Sequence, residues 1–446
     1  MRVRAVVLAA ALVLAPLSAQ AADLVVWWIK GYSHEEDAAL EEAAAAFERK
    51  TGQRVEIAFY PEADLMRRTV AAVETGTPPD IAFSFDIELP YGEWAHEGRL
   101  ADLSDAIGPS ADQFDKDALE RATLLDGTTG KRGLYALPMG RGTNHLHVWA
   151  SLLERAGLTL ADIPKDWGPF WAFWCDTVQP AVRKATERDD VCGVGLAMSA
   201  AAGDTAYQFW QFVSAYEADY VSRDGRLVID RPEVRSRLVG ALDGYTALYR
   251  KGCVPPDAVG WDDGGNNRAF LAQTVVMTPN LSLSIPGELR ATRPEDYARN
   301  AATIEWPSGV YGQPLAIQTS WNAAAVFRAG GHEATATAFV HFLVAEGWLA
   351  HWLDFAGDRF LPPMPALLEQ PFWLNPGDPH RMVSAIQFLT RPRRYAYEAA
   401  SGDWRHGRVD TERVWPKAVH RVVVDGLTPT QAVDEAVARV HQILSE

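Results

Sequence analysis

Three short segments rich in apolar residues lie near the start of the chain, and two amphipathic segments separate them. The amphipathic segments predict a helix between Ser33 and Gly52 and a second helix near residues 63–74. The segments rich in apolar residues predict strands over residues 24–29, 55–59 and 81–85, of which residues 55–59 alternate with period two. This order of strands and helices is typical of an α/β fold with a parallel sheet and right-handed crossovers.

The first helix carries the clearest local signals. Ser33 is followed three residues later by Glu36, which is the spacing of a capping box. Leu40 and Phe47 fall on one face, and Gly52 follows the last turn as a C-cap residue. These signals fix where the helix begins and ends.

Beyond residue 140 the pattern becomes mostly helical. Short strands are predicted over residues 145–149 and 227–229, and the last helix over residues 429–444. The sequence contains no internal repeats, and no Gly-x-Gly-x-x-Gly or Walker loop follows the predicted strands. Nucleotide binding therefore has no support.

The first residues follow the plan of a secretory signal. Arg2 and Arg4 precede an apolar run over residues 5–14, and small residues suited to cleavage follow it. The run is shorter than the roughly 20 residues that span a bilayer. We expect a signal peptide over residues 1–21, a periplasmic location, and no lipid anchor because no cysteine stands at the cleavage site.

The charge of the chain limits its partners. The formal net charge is −16, and removal of the predicted signal, with its two arginines, lowers it to −18. So acidic a chain is a poor partner for nucleic acids or anionic membrane surfaces.

The chain has three cysteines, and an oxidising compartment favours a disulfide among them. Cys175 and Cys192 would close a short loop and leave Cys253 as a free buried thiol. Three separate reduced cysteines are the alternative, since spacing alone proves no geometry.

Several ordered segments resemble family 1 extracellular solute-binding proteins, the group that includes maltose-binding protein. The segments are AFERKTG at 46–52, GTPPDI at 76–81, LYALP at 134–138, AFLAQTVVMT at 269–278 and AFVHFL at 338–343. The resemblance extends over nearly the whole chain after the predicted signal.

The resemblance implies an α/β two-lobe periplasmic-binding-protein fold (type II-like), in which each lobe is a sheet flanked by helices. A multi-strand hinge would join the lobes, and they would close on a ligand in the cleft. We expect residues 22–139 plus 307–361 in the first lobe and residues 140–306 plus 362–446 in the second. The membrane subunits of an ABC importer are the expected partners of a monomeric chain that has no catalytic activity and no cofactor.

A carbohydrate or related polyol is the expected ligand, because an indole stacks on the C–H face of a sugar while polar groups bind its hydroxyls. The candidate groups lie on loops at the ends of predicted strands and at predicted lobe crossings. The ligand-binding candidates are Trp28, Lys30, Tyr32, Asp86, Arg141, Asn144, Trp261, Asp262, Asn280, Ser282, Trp321 and Arg359.

Two other functions stay open at this point. His145 and His147 would share one face of a strand, which could indicate a periplasmic binder of a metal ion or metal chelate. A secreted glycoside hydrolase would need two carboxyl groups placed across the scissile bond, and no motif pairs two in this way. The solute also stays open among oligosaccharides, monosaccharides, sugar acids, polyols and phosphates.

Overall fold

The computed structural model describes six segments of the chain. They are residues 22–31, 33–84, 90–222, 224–356, 359–395 and 403–446, without the side chains of residues 62, 63 and 84. The predicted signal peptide over 1–21 lies outside these segments, as do the candidates Tyr32 and Asp86.

Strands and helices alternate along the described segments. The strands are β1 (Leu24–Ile29), β2 (Val55–Tyr60), β3 (Ile81–Ser84), β4 (Thr123–Asp126), β5 (Lys131–Leu134), β6 (Leu137–Thr143), β7 (His145–Trp149), β8 (Cys192–Val194), β9 (Val275–Asn280), β10 (Ala301–Ile304), β11 (Ile317–Val326) and β12 (Arg393–Arg394). The helices are α1 (His34–Thr51), α2 (Glu62–Glu74), α3 (Tyr91–His96), α4 (Ser104–Ile107), α5 (Lys116–Ala122), α6 (Ala150–Arg155), α7 (Trp167–Ala172), α8 (Gln179–Thr186), α9 (Gly203–Ala215), α10 (Pro232–Arg250), α11 (Gly265–Leu271), α12 (Ser284–Thr292), α13 (Glu333–Ala345), α14 (Trp348–Ala356), α15 (Pro365–Leu368), α16 (Arg381–Thr390), α17 (Arg405–Thr411), α18 (Val414–Val423) and α19 (Pro429–Ser445).

Most strands belong to two separate sheets. In the first sheet the order is β12-β11-β3-β1-β2, and β6 also pairs with β11. β1 runs parallel to β2 and β3, as the sequence predicts, whereas β11 is antiparallel to β3 and β6. In the second sheet the order is β10-β7-β9-β8. The remaining pair, β4 and β5, forms an antiparallel hairpin.

Each sheet has its own hydrophobic core, which defines two lobes. The first sheet buries apolar side chains on both faces, against α1, α13 and α14 on one side and α3 on the other. The second sheet is packed within one large core together with α9, α10, α18 and α19. We call these bodies the first lobe and the second lobe. Within the described segments, no helix has the length and apolar character that crossing a bilayer requires.

The chain crosses between the lobes at three places that lie side by side. β6 leads directly into β7, and β11 returns from the second lobe to the first. The third crossing lies near residues 359–363. β6 pairs with β11 on one side, and on the other Arg141 forms a bridge to Leu361 of the third crossing. Leu315 and Ile317 still pack in the second core, although the predicted range of the first lobe begins at 307. The exact lobe ranges stay a prediction.

The lobes also meet away from the hinge, where α17 contacts α3. Val409 of α17 packs in the core of the second lobe. Arg408 Nη2 lies 2.6 Å from Glu93 Oε1 of α3. The ring of Trp404 stacks on His96 with 5.1 Å between centroids. This contact links the last helices of the chain to the first lobe.

Most of the predicted elements are confirmed. β1, α1, β7 and α19 begin and end within a residue or so of the expected positions, and the Ser33 side chain caps α1 by accepting from the Glu36 N–H. The predicted strand over 227–229 is wrong. Leu227 makes a single bridge to Val221, and the turn at residues 229–230 ends the pairing before a strand can form.

The predicted Cys175–Cys192 disulfide is also wrong. Cys175 is bonded to Cys253, 78 positions later in the sequence, and Cys192 is a free buried thiol. Gly193 packs against Cys253, where a Cβ on Gly193 would lie 3.3 Å from the Cys253 Sγ. Spacing along the chain could not reveal this pairing, because the three cysteines approach one another only in the folded lobe.

We predict one reactive thiol in the denatured chain without reductant and three with it, measured by a thiol reagent. The Cys192→Ser variant should show none without reductant. Because the disulfide closes a long loop in the unfolded chain, Cys253→Ser should lower the free energy of unfolding by about 4 kcal/mol. A disulfide-linked peptide that contains Cys192 in the wild-type chain would contradict this pairing.

Candidate functional site

A cavity of about 380 Å³ opens between the two lobes beside the hinge. Its volume lies in the range of small-molecule sites. Residues of both lobes line it: Pro61, Gly142, Asp204, Tyr207, Asp262, Asp263, Gly264, Asn267, Arg268, Asn280, Leu281, Ser282, Ser284, Ser320, Asn322 and Phe360. Hinge motion would therefore change the shape of this cavity.

The hinge strand β11 forms one wall of the cavity. Successive side chains of a strand point to opposite faces, so Ser320 and Asn322 line the cavity while Trp321 packs in the core behind them. Ser320 is only 2% exposed, and its Oγ has no hydrogen-bond partner among the described residues. On β6, a Cβ at Gly142 would lie 2.9 Å from that Oγ, so glycine keeps the space open.

The second lobe contributes a wall of amides and hydroxyls. Asn280 Nδ2 donates to Ser284 Oγ at 2.8 Å, and Asn267 Nδ2 donates to the same oxygen at 3.0 Å. Ser282 Oγ accepts from the Ser284 N–H. These bonds fix the orientation of Asn267, whose Oδ1 is buried without a partner in the described structure. An unpaired buried acceptor costs about 1–3 kcal/mol, which a hydroxyl of a ligand could recover.

Acidic residues form the opening on the same lobe. Asp263 Oδ1 accepts from the N–H groups of Gly203 and Asp204 at the start of α9. Asp262 Oδ1 accepts from Arg268 Nη2 at 2.5 Å. The hydrogen bond from Arg268 lowers the pKa of Asp262, which keeps this carboxyl ionised at neutral pH.

Two rings supply the apolar part of the lining. Tyr207 comes from α9 of the second lobe, and Phe360 from the third crossing. The ring of Phe360 packs against Phe83 and Trp352, with centroid distances of 6.0 and 6.3 Å. A Cβ on Gly140 would lie 2.8 Å from the Phe360 Cβ, so β6 also determines where this ring sits.

Three of the predicted ligand residues line the cavity together, namely Asp262, Asn280 and Ser282. Trp28 does not, because strand alternation turns it into the core, where it packs against Phe83 and Trp352. Trp321 faces the opposite side of β11, and its Nε1 donates to Asp117 Oδ2 at 3.0 Å. The predicted stacking of a sugar on these two indoles is therefore wrong.

The predicted cationic residues also lie away from the cavity, and each has an acidic partner. Lys30 pairs with Asp37, and the buried Arg359 pairs with Glu36. Arg141 Nη1 lies 3.1 Å from Asp115 Oδ2, and its Nε and Nη2 donate to the Pro362 carbonyl. These pairs tie hinge and helix segments together, so the prediction that Lys30, Arg141 and Arg359 bind the ligand in this cavity is wrong.

Two further candidates have structural contacts instead. The Asn144 carbonyl accepts from Trp306 Nε1 at 3.0 Å and from Gln387 Nε2 at 2.9 Å beside the hinge. Trp261 Nε1 donates to Asp257 Oδ2 at 3.1 Å, behind the acidic opening. Neither side chain lines the cavity. Tyr32 and Asp86 cannot be assigned, since they lie outside the described residues.

The sequence reasoning missed Ser320, Asn322 and Tyr207. For the two strand residues a signal was present: if Trp321 packs inward, its neighbours must face the other way. Phe360 was missed because its neighbour Arg359 was predicted to face the cavity instead. Tyr207 had no comparable signal, because only the packing of α9 against the second sheet brings it to the cavity.

His145 and His147 form part of a buried polar cluster. Their rings stack with 5.9 Å between centroids. His145 Nε2 bonds with Ser384 Oγ at 2.6 Å, and Thr303 Oγ1 bonds with His147 Nδ1 and His380 Nδ1 at 3.0 and 2.7 Å. The described residues include no group of three or more His, Cys, Asp or Glu side chains placed to hold a metal ion.

Burial keeps these imidazoles neutral. It lowers the pKa of His145 to about 3 and that of His380 to about 4, and it holds the pKa of His147 well below its usual value. The negative charge of Asp378 partly offsets the effect of burial on the pKa of His380, whereas the positive charge of Arg381 lowers this pKa further. Because unfolding restores an ordinary histidine pKa, these groups favour the folded state above about pH 6.5 and lose that effect as the pH falls.

We predict that acidification from pH 7 to pH 5 lowers the free energy of unfolding by about 2 kcal/mol for each such histidine. Denaturant titrations at the two pH values measure this. His145→Gln should reduce this pH-dependent loss of stability by about 2 kcal/mol, the contribution of one buried histidine. A stability that does not vary over this range would contradict the burial of neutral imidazoles.

A larger cavity of about 610 Å³ lies elsewhere on the second lobe. Arg183, Asp190, Cys192, Pro256 and Trp261 are among its lining residues. All of its lining residues belong to the second lobe, so closure of the hinge would not enclose a ligand there. The smaller cavity between the lobes is therefore the better candidate site.

Residues 31–350 match the family described as bacterial extracellular solute-binding protein. This match spans more than half of the chain. The chain belongs to the bacterial extracellular solute-binding proteins. Membership confirms the expectation of a binding protein and leaves the hydrolase alternative without support. Among proteins with curated descriptions, none matches this solute-binding protein in sequence.

Solved structures confirm the two-lobe fold. A solute-binding protein of an ABC transporter from Thermotoga lettingae, bound with α-D-tagatose, is 20% identical with a TM-score of 0.76 and covers 94% of this chain and 99% of its own. A maltose-bound protein from T. maritima is 16% identical with a TM-score of 0.72, covering 94% and 99%. A sugar transporter protein from Arthrobacter chlorophenolicus with bound laminaribiose is 14% identical with a TM-score of 0.71, covering 94% and 98%. The solute-binding protein shares their fold along nearly its whole length.

Proposed function

We propose that this solute-binding protein captures a carbohydrate in the cavity between its lobes and delivers it to an ABC importer. The observation that carries the proposal is the pair of unpartnered buried atoms, Ser320 Oγ and Asn267 Oδ1, at one cavity bounded by both lobes. A hydroxyl-rich ligand would form hydrogen bonds with both atoms, and it would reach both most closely when the lobes close.

The composition of the lining supports the same ligand class. Hydroxyl and amide side chains dominate the second-lobe wall, and two rings, Tyr207 and Phe360, offer flat apolar surfaces. This mixture suits a sugar, which has C–H faces and many hydroxyls. The proteins of similar fold bound with tagatose, maltose and laminaribiose lend further weight.

The cellular setting is part of the proposal. We infer export through a signal peptide over residues 1–21, release into the periplasm without a lipid anchor, and action as a monomer. The family is extracellular, and the T. lettingae protein is described as part of an ABC transporter. We further propose that the lobes follow the ranges 22–139 plus 307–361 and 140–306 plus 362–446.

A thermal-shift screen tests the ligand class. The purified chain without residues 1–21 is tested against D-glucose, D-galactose, D-tagatose, maltose and laminaribiose. A sugar that binds only the folded protein should raise the melting temperature as its concentration passes the dissociation constant. If no sugar produces a shift at millimolar concentration, the proposed function is wrong.

We predict that Ser320→Ala weakens binding of the sugar found in this screen about tenfold, the effect of one lost hydrogen bond. Calorimetry measures the dissociation constant. The free protein should keep its melting temperature, since the hydroxyl has no partner to lose. Ser110→Ala, which removes another buried serine hydroxyl away from the cavity, is the matched control. Unchanged affinity in a folded Ser320→Ala protein would remove this residue from the site.

A further inference from the structure

The charged groups of the interlobe cavity are mostly acidic. Asp204, Asp262 and Asp263 line it, and Arg268 is the one cationic side chain in the described lining. Arg268 is engaged with Asp262 in an ion pair. The lining therefore has a formal charge of −2 at neutral pH, and the electrostatic potential inside favours neutral over anionic ligands.

The three cationic residues that the sequence offered as ligand-binding candidates lie outside the cavity. Lys30, Arg141 and Arg359 are each paired with a carboxylate outside the cavity. Arg141 and Arg359 are also buried. Rotation of a side chain toward the cavity would leave its acidic partner buried and uncompensated, which is costly.

The position where an anion would most readily bind is already filled. The N-terminus of α9, a helix of 13 residues, opens at the cavity, and such helix ends attract phosphates and carboxylates. Here Asp263 Oδ1 accepts hydrogen bonds from the backbone N–H groups of Gly203 and Asp204. The protein's own carboxylate thus takes the place of an anionic ligand.

Two uncharged polar atoms of the lining are left for a ligand. Ser320 Oγ and Asn267 Oδ1 are both buried without partners in the described structure. We propose that the cavity selects an uncharged carbohydrate and discriminates against sugar acids and sugar phosphates. This inference rests on the proposed function and narrows its ligand class.

The test compares each neutral sugar that binds with the same sugar carrying one primary hydroxyl oxidised to a carboxylate. D-glucose is compared with D-glucuronate, D-galactose with D-galacturonate, and D-tagatose, maltose and laminaribiose with their own oxidised forms. Calorimetry at 150 mM salt limits long-range effects of the net charge. We expect the dissociation constant of the acid to be at least about tenfold higher than that of its neutral parent. The reason is Coulomb repulsion between the carboxylate of the acid and the carboxylates of the lining.

Isosteric variants assign the effect to the cavity. Asp262→Asn with Asp263→Asn removes both carboxylates, and asparagine still accepts hydrogen bonds at a helix start. The ratio of the two dissociation constants should fall at least threefold. Asp224→Asn with Asp354→Asn is the control, since both residues are exposed, do not line the cavity, and change the net charge equally. This control should keep the wild-type ratio.

The outcomes separate the two claims. An acidic sugar that binds as tightly as its neutral parent, or more tightly, overturns the inference and leaves carbohydrate binding in place. An unchanged ratio in the folded cavity variant overturns the assignment to Asp262 and Asp263. Absence of binding by every sugar, neutral or acidic, overturns the proposed function itself.

Discussion

The strand β11 is the constraint on which the rest of the structure depends, because it belongs to both lobes. Ile317 at its start packs in the second core, while Ala324 and Val326 near its end pack in the first. Its pairing with β6 joins two of the three crossings into a ribbon. The same strand presents Ser320 to the cavity. A ligand bound there touches the element about which the lobes would move, so binding and closure are physically coupled.

Buried ion pairs hold the surroundings of this ribbon in place. Arg141 joins β6 to Asp115 and to the third crossing, and Arg359 of that crossing is paired with Glu36 of α1. Such pairs add little net stability but penalise any arrangement that separates them. They position the walls of the cavity, and they leave Arg268, which is paired with Asp262, as the one basic side chain in the described lining. The same ion pairs therefore hold the hinge segments in place and keep Arg141 and Arg359 from binding an anionic ligand.

Local patterns predicted the fold well because alternation, caps and breakers act within a few residues. The first parallel strands, α1 and its Ser33 cap, and the last helix follow directly from them. The site was predicted only in part. Asp262, Asn280 and Ser282 were found, whereas Trp321 was chosen in place of its neighbours because nothing local shows which face of β11 meets the core. Arg141, Arg359 and the Cys175–Cys253 disulfide depend on partners more than 25 residues away, which spacing cannot identify.

The central claim is that a sugar binds between the lobes against β11. A crystal structure of the protein with the sugar of highest affinity from the screen tests it most directly. The account predicts ligand density within hydrogen-bond distance of Ser320 Oγ and Asn267 Oδ1, in contact with residues of both lobes. Density confined to the cavity beside Trp261 and Arg183, within the second lobe alone, would contradict it.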